Sequence, residues 1–496
     1  MSGKPNIIFI FCDDLGWGDV SCLNPESKIQ TPNIDALARS GINFTDAHAG
    51  SAVCTPSRYT LLTGRYCWRT PLKQGVNGGY SPALIHSDRE TVASLLKRAG
   101  YRSACMGKWH VGMDWSLKPE AGGNEFPQEL SWKERELDDL VDFSKPVKNG
   151  PVDVGFDYYY GISASLDMSP YVFIENDRVT EIPTDVVPRG TEELRAREGI
   201  GAKGWRHEDV LPAITEKSVE FIRENAASGT PFFLYVPVNG PHTPVVPNEE
   251  WIGKSGCGIY GDFVMEIDAV VGRIVESVAK SGIRENTLIL FASDNGPETL
   301  TAAYRERYDH YSAWKYRGMK RDNWEGGHRI PYIASWPGTV PEDSTCTRFV
   351  ELADFFATAA ALAGVEIPDG AAGDSFDMSP LFVGKDAPEY RELAVHHSMH
   401  GKWAVRRGRW KLLLHSGSGG NKYDCPENDD PVQLFDMQDD QFETTNVYAD
   451  HPEIVRELRE ACLECIRRGR ATPGSELTND DGGEWTQLQE LLELQV

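Results

Sequence analysis

Long apolar runs are missing from this 496-residue chain. The longest, 7–12 and 232–238, fall far short of the ~20 residues that cross a bilayer, so no transmembrane helix is expected. Residues 7–12 are also too few, and too soon followed by Asp13-Asp14, to form a signal-peptide core. The chain is therefore expected to be cytoplasmic, or periplasmic or secreted after removal of a leader. Positive charge is scarce: 50 Lys+Arg face 75 Asp+Glu, a formal net charge of −25. This argues against nucleic acid or an anionic membrane as partner. It also makes a long anionic polymer an awkward ligand, so an anionic substrate has to be captured by a local cluster of cations, which favours small or chain-end substrates. A dense cysteine framework is absent too. The ten cysteines are scattered and do not fix the compartment, and the CxxC spacing of Cys462 and Cys465 lies in an amphipathic helical tail, where a zinc or redox role is disfavoured.

What the chain does have is alternation of short β-branched or aromatic runs with helical patterns, the mark of an α/β domain with a largely parallel sheet. Strands are predicted at 7–12, 101–106, 232–236, 287–292 and 331–335. Helices are predicted at 34–40, 90–98, 209–224, 262–280 and 352–362, several of them stopped by a glycine. Residues 115–150 and 162–206 lack periodicity and read as long insertions able to wall a pocket. After about residue 385 the character changes to short strands at 393–397, 403–406 and 410–414, with Arg407-Gly408 suited to a hairpin. A polar loop at 415–431 and an amphipathic helix at 452–468 follow. The expected division is a catalytic domain over 1–385 and a C-terminal subdomain over 386–496, built as a small antiparallel sheet with a covering helix.

Two predicted strands run into acidic pairs, Asp13-Asp14 and Asp294-Asn295. Ligands in open α/β sheets gather beyond the carboxyl ends of strands, so these pairs point to one shared site. Three carboxylates and an amide are hard oxygen donors that suit calcium better than zinc. Gly107-Lys108-Trp109-His110 follows a third strand, and Pro241-His242-Thr243-Pro244 follows a fourth. Ahead of them in the chain stands Cys54-Thr55-Pro56-Ser57-Arg58, followed by Leu61-Leu62-Thr63-Gly64-Arg65.

That Cys-x-Pro-x-Arg stretch resembles the signature of the type I sulfatases, and Pro5 through Gly16, Gly107–His110, Asn239–Pro244, Ser293–Gly296 and Gly318-Met319-Lys320 resemble further elements of the same family in order. The resemblance implies an alkaline-phosphatase-like α/β fold, a large mostly parallel mixed sheet between helices with a smaller four-stranded sheet. It implies that a maturation enzyme oxidises Cys54 to formylglycine. A hydrated aldehyde carries two hydroxyls on one carbon; one attacks sulfur, and the other later loses a proton and expels sulfate as the carbonyl reforms. One calcium ion would be held by Asp13, Asp14, Asp294, Asn295 and residue 54. Arg58 would hold the hydrate, Lys108 and Lys320 would contact sulfate, His110 would assist the hydrate, and His242 would lie on the leaving-group side. The implied function is hydrolysis of a sulfate monoester, with a sulfated carbohydrate as substrate. Two alternatives stand beside it: a phosphomonoester or phosphonate-ester hydrolase on the same scaffold, and a catalytically silent binder of sulfated glycans should Cys54 stay unmodified. Arg305, Arg307, Trp314 and Arg317 are expected at a specificity rim; His328, His397, His400 and Trp403 are weaker candidates for substrate contact.

Overall fold

The computed structural model describes residues 4–119, 137–190, 195–384, 391–421, 430–480 and 485–494. The domain boundary expected at 385/386 falls outside these residues, as do parts of both insertions and of the 415–431 loop.

The strand Asn6–Asp13 is the axis of the molecule. Its sequence, NIIFIFCD, is buried at every position, as a parallel strand covered on both faces must be. It lies between two parallel neighbours, with Ile7 opposite Phe233 on one side and Leu288 on the other. From these the sheet grows to ten strands. The order is Ser344–Cys346, Ile42–Phe44, Tyr332–Ser335, Thr287–Ser293, Asn6–Asp13, Phe232–Pro241, Arg102–Lys108, Tyr158–Ile162, Ile174–Glu175 and Arg178–Val179. The central run is parallel, while Tyr332–Ser335 joins antiparallel.

Side chains alternating along Asn6–Asp13 divide the core. Ile7, Phe9 and Phe11 face a layer built from the helices Cys54–Thr63, Val92–Arg98 and Asp354–Ala363, including Leu61, Leu95 and Phe355. Ile8, Ile10 and Cys12 face the helices Pro32–Arg39, Val210–Ser228 and Gly258–Lys280, including Ile34, Ile214 and Ile267. The result is a helix, sheet, helix sandwich. No helix among the described residues is long and apolar enough to cross a membrane.

A separate four-stranded antiparallel sheet, Leu393–His397, Trp403–Arg407, Trp410–Leu413 and Gln433–Asp436, has its strands in chain order. The helix Pro452–Arg468 covers it, turning Val455, Leu458, Cys462, Cys465 and Ile466 inward against Val405, Leu412 and Leu434. Cys462 and Cys465 are thus core residues, and Arg69 reaches the Cys465 sulfur at 3.3 Å. The hairpin turn centres on Gly408 and Arg409, because Arg407 pairs with Trp410.

Candidate active site

The ends of four strands and the start of one helix meet at a single point. Asn6–Asp13 delivers Asp13 and then Asp14; the adjacent Thr287–Ser293 delivers Asp294 and Asn295, since Cys12 is in register with Ser293. Arg102–Lys108 ends on Lys108 with His110 just beyond, and Phe232–Pro241 leads into His242. Cys54 opens the helix Cys54–Thr63, and Arg58, one turn on, shares its face. Asp14 and His110 both have left-handed backbones, at φ 65° and 57°; such strain in non-glycine residues gathers at functional sites. Gly107 has a local reason to be glycine: its φ is 140°, and a Cβ there would stand 2.0 Å from the Pro237 carbonyl oxygen.

All of these side chains are buried. Arg58 donates to Asp294 Oδ2 from Nε and Nη2, at 3.1 and 2.7 Å, and to the Lys108 carbonyl. Lys108 Nζ donates to Asp13 Oδ2 and to Ser165 Oγ, each at 2.6 Å. Lys320 Nζ donates to Asp14 Oδ2 at 2.7 Å and lies 3.4 Å from Glu298 Oε2. His242 Nδ1 donates to the Thr243 carbonyl at 2.5 Å, leaving Nε2 3.7 Å from Asp14 Oδ2. His110 Nε2 donates to the Asn77 carbonyl at 2.8 Å, and its Nδ1 is buried with no hydrogen-bond partner.

Burial and charge compete throughout the cluster. Burial pushes the Asp13 carboxyl up, but Lys108, His242, Arg58 and Lys320 together hold it well below the usual carboxylate range. Burial and the neighbouring Asp13 push Asp294 upward. Burial opposes the charge on Lys320, yet Asp14 and Glu298 raise it above the usual lysine value. Burial, then Lys108 and Arg58, keep His110 well below the ordinary histidine value. The Cys54 thiol is pushed up to about 11 by burial, against the pull of Lys108 and Lys320. An unmodified thiol here is therefore protonated at neutral pH and a poor nucleophile.

The residues fit a hard cation. Ligand atoms of Asp13, Cys54 and Asp294 lie within 4.8 Å of one another, as do those of Asp13, Asp14 and His242. Asp13 Oδ1 and Asn295 Oδ1 are buried oxygens without a hydrogen-bond partner, and the crowding that lifts Asp294 is what a divalent ion relieves. An oxygen set of this kind suits calcium.

A pocket of about 640 Å³ opens from Cys54, His110, His242 and Lys320. Its outer wall carries Arg189, Arg195 and Arg197 from the 162–206 insertion, Met399 from the C-terminal part, and Arg321, which Glu298 holds through both terminal guanidinium nitrogens. The expected specificity rim is elsewhere. Arg305, Trp314 and Arg317 line a second pocket, because Thr299 and Met319 turn toward it while their chain neighbours Glu298 and Lys320 face the first. Arg307 lies over the Tyr308 ring instead. His397 is fully buried, Trp403 packs edge-on against Trp68, and His400 is an exposed turn residue outside the pocket lining. His328 is a packing histidine, bonded to His48 and to the Asn323 carbonyl.

Sequence reasoning missed Ser165, which holds Lys108 and lies 3.4 Å from His242 Nε2, and Glu298, which holds Lys320 and Arg321. Neither belongs to a spaced pattern. Glu298 stands three residues past Asn295, the one hint available.

The chain is similar to known proteins over most of its length. The Sulfatase family profile matches residues 5–365, and the N-sulphoglucosamine sulphohydrolase C-terminal profile matches residues 316–468. An N-acetylgalactosamine-6-O-sulfatase of Bacteroides thetaiotaomicron is 35% identical, covering 94% of each chain. Arylsulfatase G of Rattus norvegicus is 31% identical over 91% of this chain and 84% of its own. A solved structure from the metabolism of multiple glycosaminoglycans by Bacteroides thetaiotaomicron superposes with a TM-score of 0.81 at 33% identity, covering 94% of this chain and 99% of its own.

Proposed function

This chain belongs to the type I sulfatase family, and from that premise we propose that it removes the sulfate monoester of a sulfated sugar, at a chain end or in a short fragment. In this reading Cys54 is oxidised to formylglycine, and Asp13, Asp14, Asp294, Asn295 and residue 54 hold one calcium ion. The observation that carries the reading is the convergence of His110, His242 and Lys320 on Cys54 in one pocket, beside the oxygen-donor cluster whose Asp13 holds Lys108.

Formylglycine, once formed, supplies the nucleophilic hydroxyl and the second hydroxyl that expels sulfate. Calcium, when held by those residues, would supply positive charge that offsets the charge of the sulfate group. The chain's own side chains do the rest. Arg58, anchored on Asp294, holds the oxygen of residue 54. The Nζ atoms of Lys108 and Lys320, preset by Asp13 and Asp14, offset charge on the non-bridging sulfate oxygens. His242 has its Nδ1 proton committed to Thr243, so Nε2 is the atom that protonates the departing alcohol, with Asp14 nearby to stabilise the imidazolium. His110 has Nε2 committed to Asn77 and a free Nδ1; kept neutral by burial, it takes the proton whose loss releases sulfate.

The bacterial N-acetylgalactosamine-6-O-sulfatase among the relatives supports a sulfated amino sugar as the first substrate to try. Sulfate release should be measured from a panel of sulfated mono- and oligosaccharides, with nitrophenyl sulfate and nitrophenyl phosphate as references. Turnover of short or chain-end sulfated sugars, and sulfate well ahead of phosphate, is the expected result. Faster cleavage of phosphate, or release only from the interior of long polymers, contradicts the proposal.

A further inference from the structure

The second pocket, about 580 Å³, has no part in the chemistry above. It stands back to back with the catalytic pocket: Thr299 and Met319 line it, and their neighbours Glu298 and Lys320 line the other. Aromatic rings and cations make up much of its wall. Trp314 rests 4.9 Å from Trp17 and 5.5 Å from Phe442, while Tyr311 is 42% exposed. Trp314 also has a left-handed backbone, φ 54°, costly for a bulky residue and of the kind found where a side chain is held for use.

The cations are held in an unusual way for so acidic a protein. The Arg305 guanidinium lies over the Tyr311 ring at 4.9 Å, Lys315 Nζ over the Trp314 ring at 5.3 Å, and Arg317 over the Trp324 ring at 3.8 Å. Among the described residues no carboxylate pairs with any of the three. Arg317 also donates from Nη1 to the Glu443 carbonyl at 3.1 Å, so Arg305 and Lys315 are the two that keep their donors and most of their charge for a ligand, which a cation in a salt bridge has given up. The carboxylates in the wall are already engaged: Asp322 accepts from the Met319 and Asn421 amides, and Glu443 pairs with Lys411 and accepts from the Glu325 amide. Glu26 and Asp309, the latter paired with Lys28 at 3.8 Å, lie in an adjoining pocket past Tyr311 and Lys315.

We propose that this pocket is a second, non-catalytic site that binds a sulfated sugar unit, stacking its ring on Trp314 or Tyr311 and pairing its sulfate with Arg305 and Lys315. The chemistry on the wall, apolar ring faces beside unspent cations, matches a pyranose bearing an anionic group. The site rests on the reading of the substrate as a sulfated sugar: it would hold a further unit of the same glycan near the enzyme, offsetting the repulsion of a −25 surface.

Calorimetric titration of the Cys54→Ala protein with a sulfated tetrasaccharide tests this, alongside the same protein carrying Arg305→Gln and Lys315→Gln. Both substituted residues are exposed, and nitrophenyl sulfate turnover by the matured double variant, expected unchanged, verifies its fold. The double substitution should weaken the tetrasaccharide roughly tenfold, leave a sulfated monosaccharide in the catalytic pocket unaffected, and abolish ligand-induced quenching of tryptophan fluorescence that Trp314→Phe also removes. Equal tetrasaccharide affinity with and without the two cations, or no tetrasaccharide binding at all, overturns the site. Failure of the matured wild type to turn over any sulfated sugar would instead strike the proposed function, a result read from a different assay.

Discussion

His242 and Lys108 both reach Ser165 Oγ yet answer to different parts of the substrate. A sugar alkoxide leaves poorly and needs a proton as its bond to sulfur breaks; a nitrophenolate departs without one. General acid catalysis is worth about 10²–10⁴-fold, so His242→Ala should lose that much on a sulfated sugar and far less on nitrophenyl sulfate. Lys108→Ala should hurt both, because it meets the sulfate they share. Equal losses for His242→Ala on the two substrates would make it a sulfate-binding or supporting residue. The oxygen-donor cluster gives a second prediction: with Asp13 Oδ1 and Asn295 Oδ1 buried without a hydrogen bond, chelated, metal-free enzyme should lose activity and regain it with calcium. Full activity after thorough removal of divalent ions would refute the metal assignment. These residues were legible in the sequence because strand ends fix them in pairs and motifs. Ser165 and Glu298 were not, since a single serine or glutamate carries no spacing to read.

Among the elements, what could be read followed from burial. The strands Asn6–Asp13 and Thr287–Ser293 are covered on both faces and so appear as unbroken apolar runs. The helix Cys54–Thr63 left no periodic trace because every one of its residues is buried, and Ile42–Phe44 is too short to register. The rim arginines Arg189, Arg195 and Arg197 come from a segment without periodicity, so a long insertion could be seen but not which residues it would turn toward Cys54. The two sheets are tied by a buried ionic network that no local pattern announces. His48 and His328 meet at 3.0 Å between Nδ1 atoms, and Lys411 of the small sheet bonds Glu325 and His328. Burial keeps the His48 and His415 imidazoles down at about 4. In the unfolded chain they titrate near 6.5, so between about 4 and 6.5 the unfolded state binds more protons and stability rises with pH. The thermal midpoint should be steady above pH ~6.5 and fall as pH drops toward 4. A midpoint unchanged down to pH 4 would contradict neutral, buried histidines at this junction.

Over the whole molecule, a net charge of −25 contrasts with a pocket whose mouth carries Arg189, Arg195, Arg197 and Arg321, while deeper in, Arg58, Lys108 and Lys320 are matched by Asp13, Asp14, Asp294 and Glu298. In the proposed reading this contrast disfavours a polyanion laid across the surface and favours a single sulfated end at the pocket. Everything proposed for the chemistry nevertheless passes through residue 54, whose thiol, buried and pushed up to about 11, cannot do the work as cysteine. The most direct test is therefore mass spectrometry of the peptide carrying residue 54, taken from fully active enzyme. The account predicts formylglycine at that position, in a proportion that tracks specific activity across preparations; unmodified cysteine throughout, in enzyme that still releases sulfate, would contradict it.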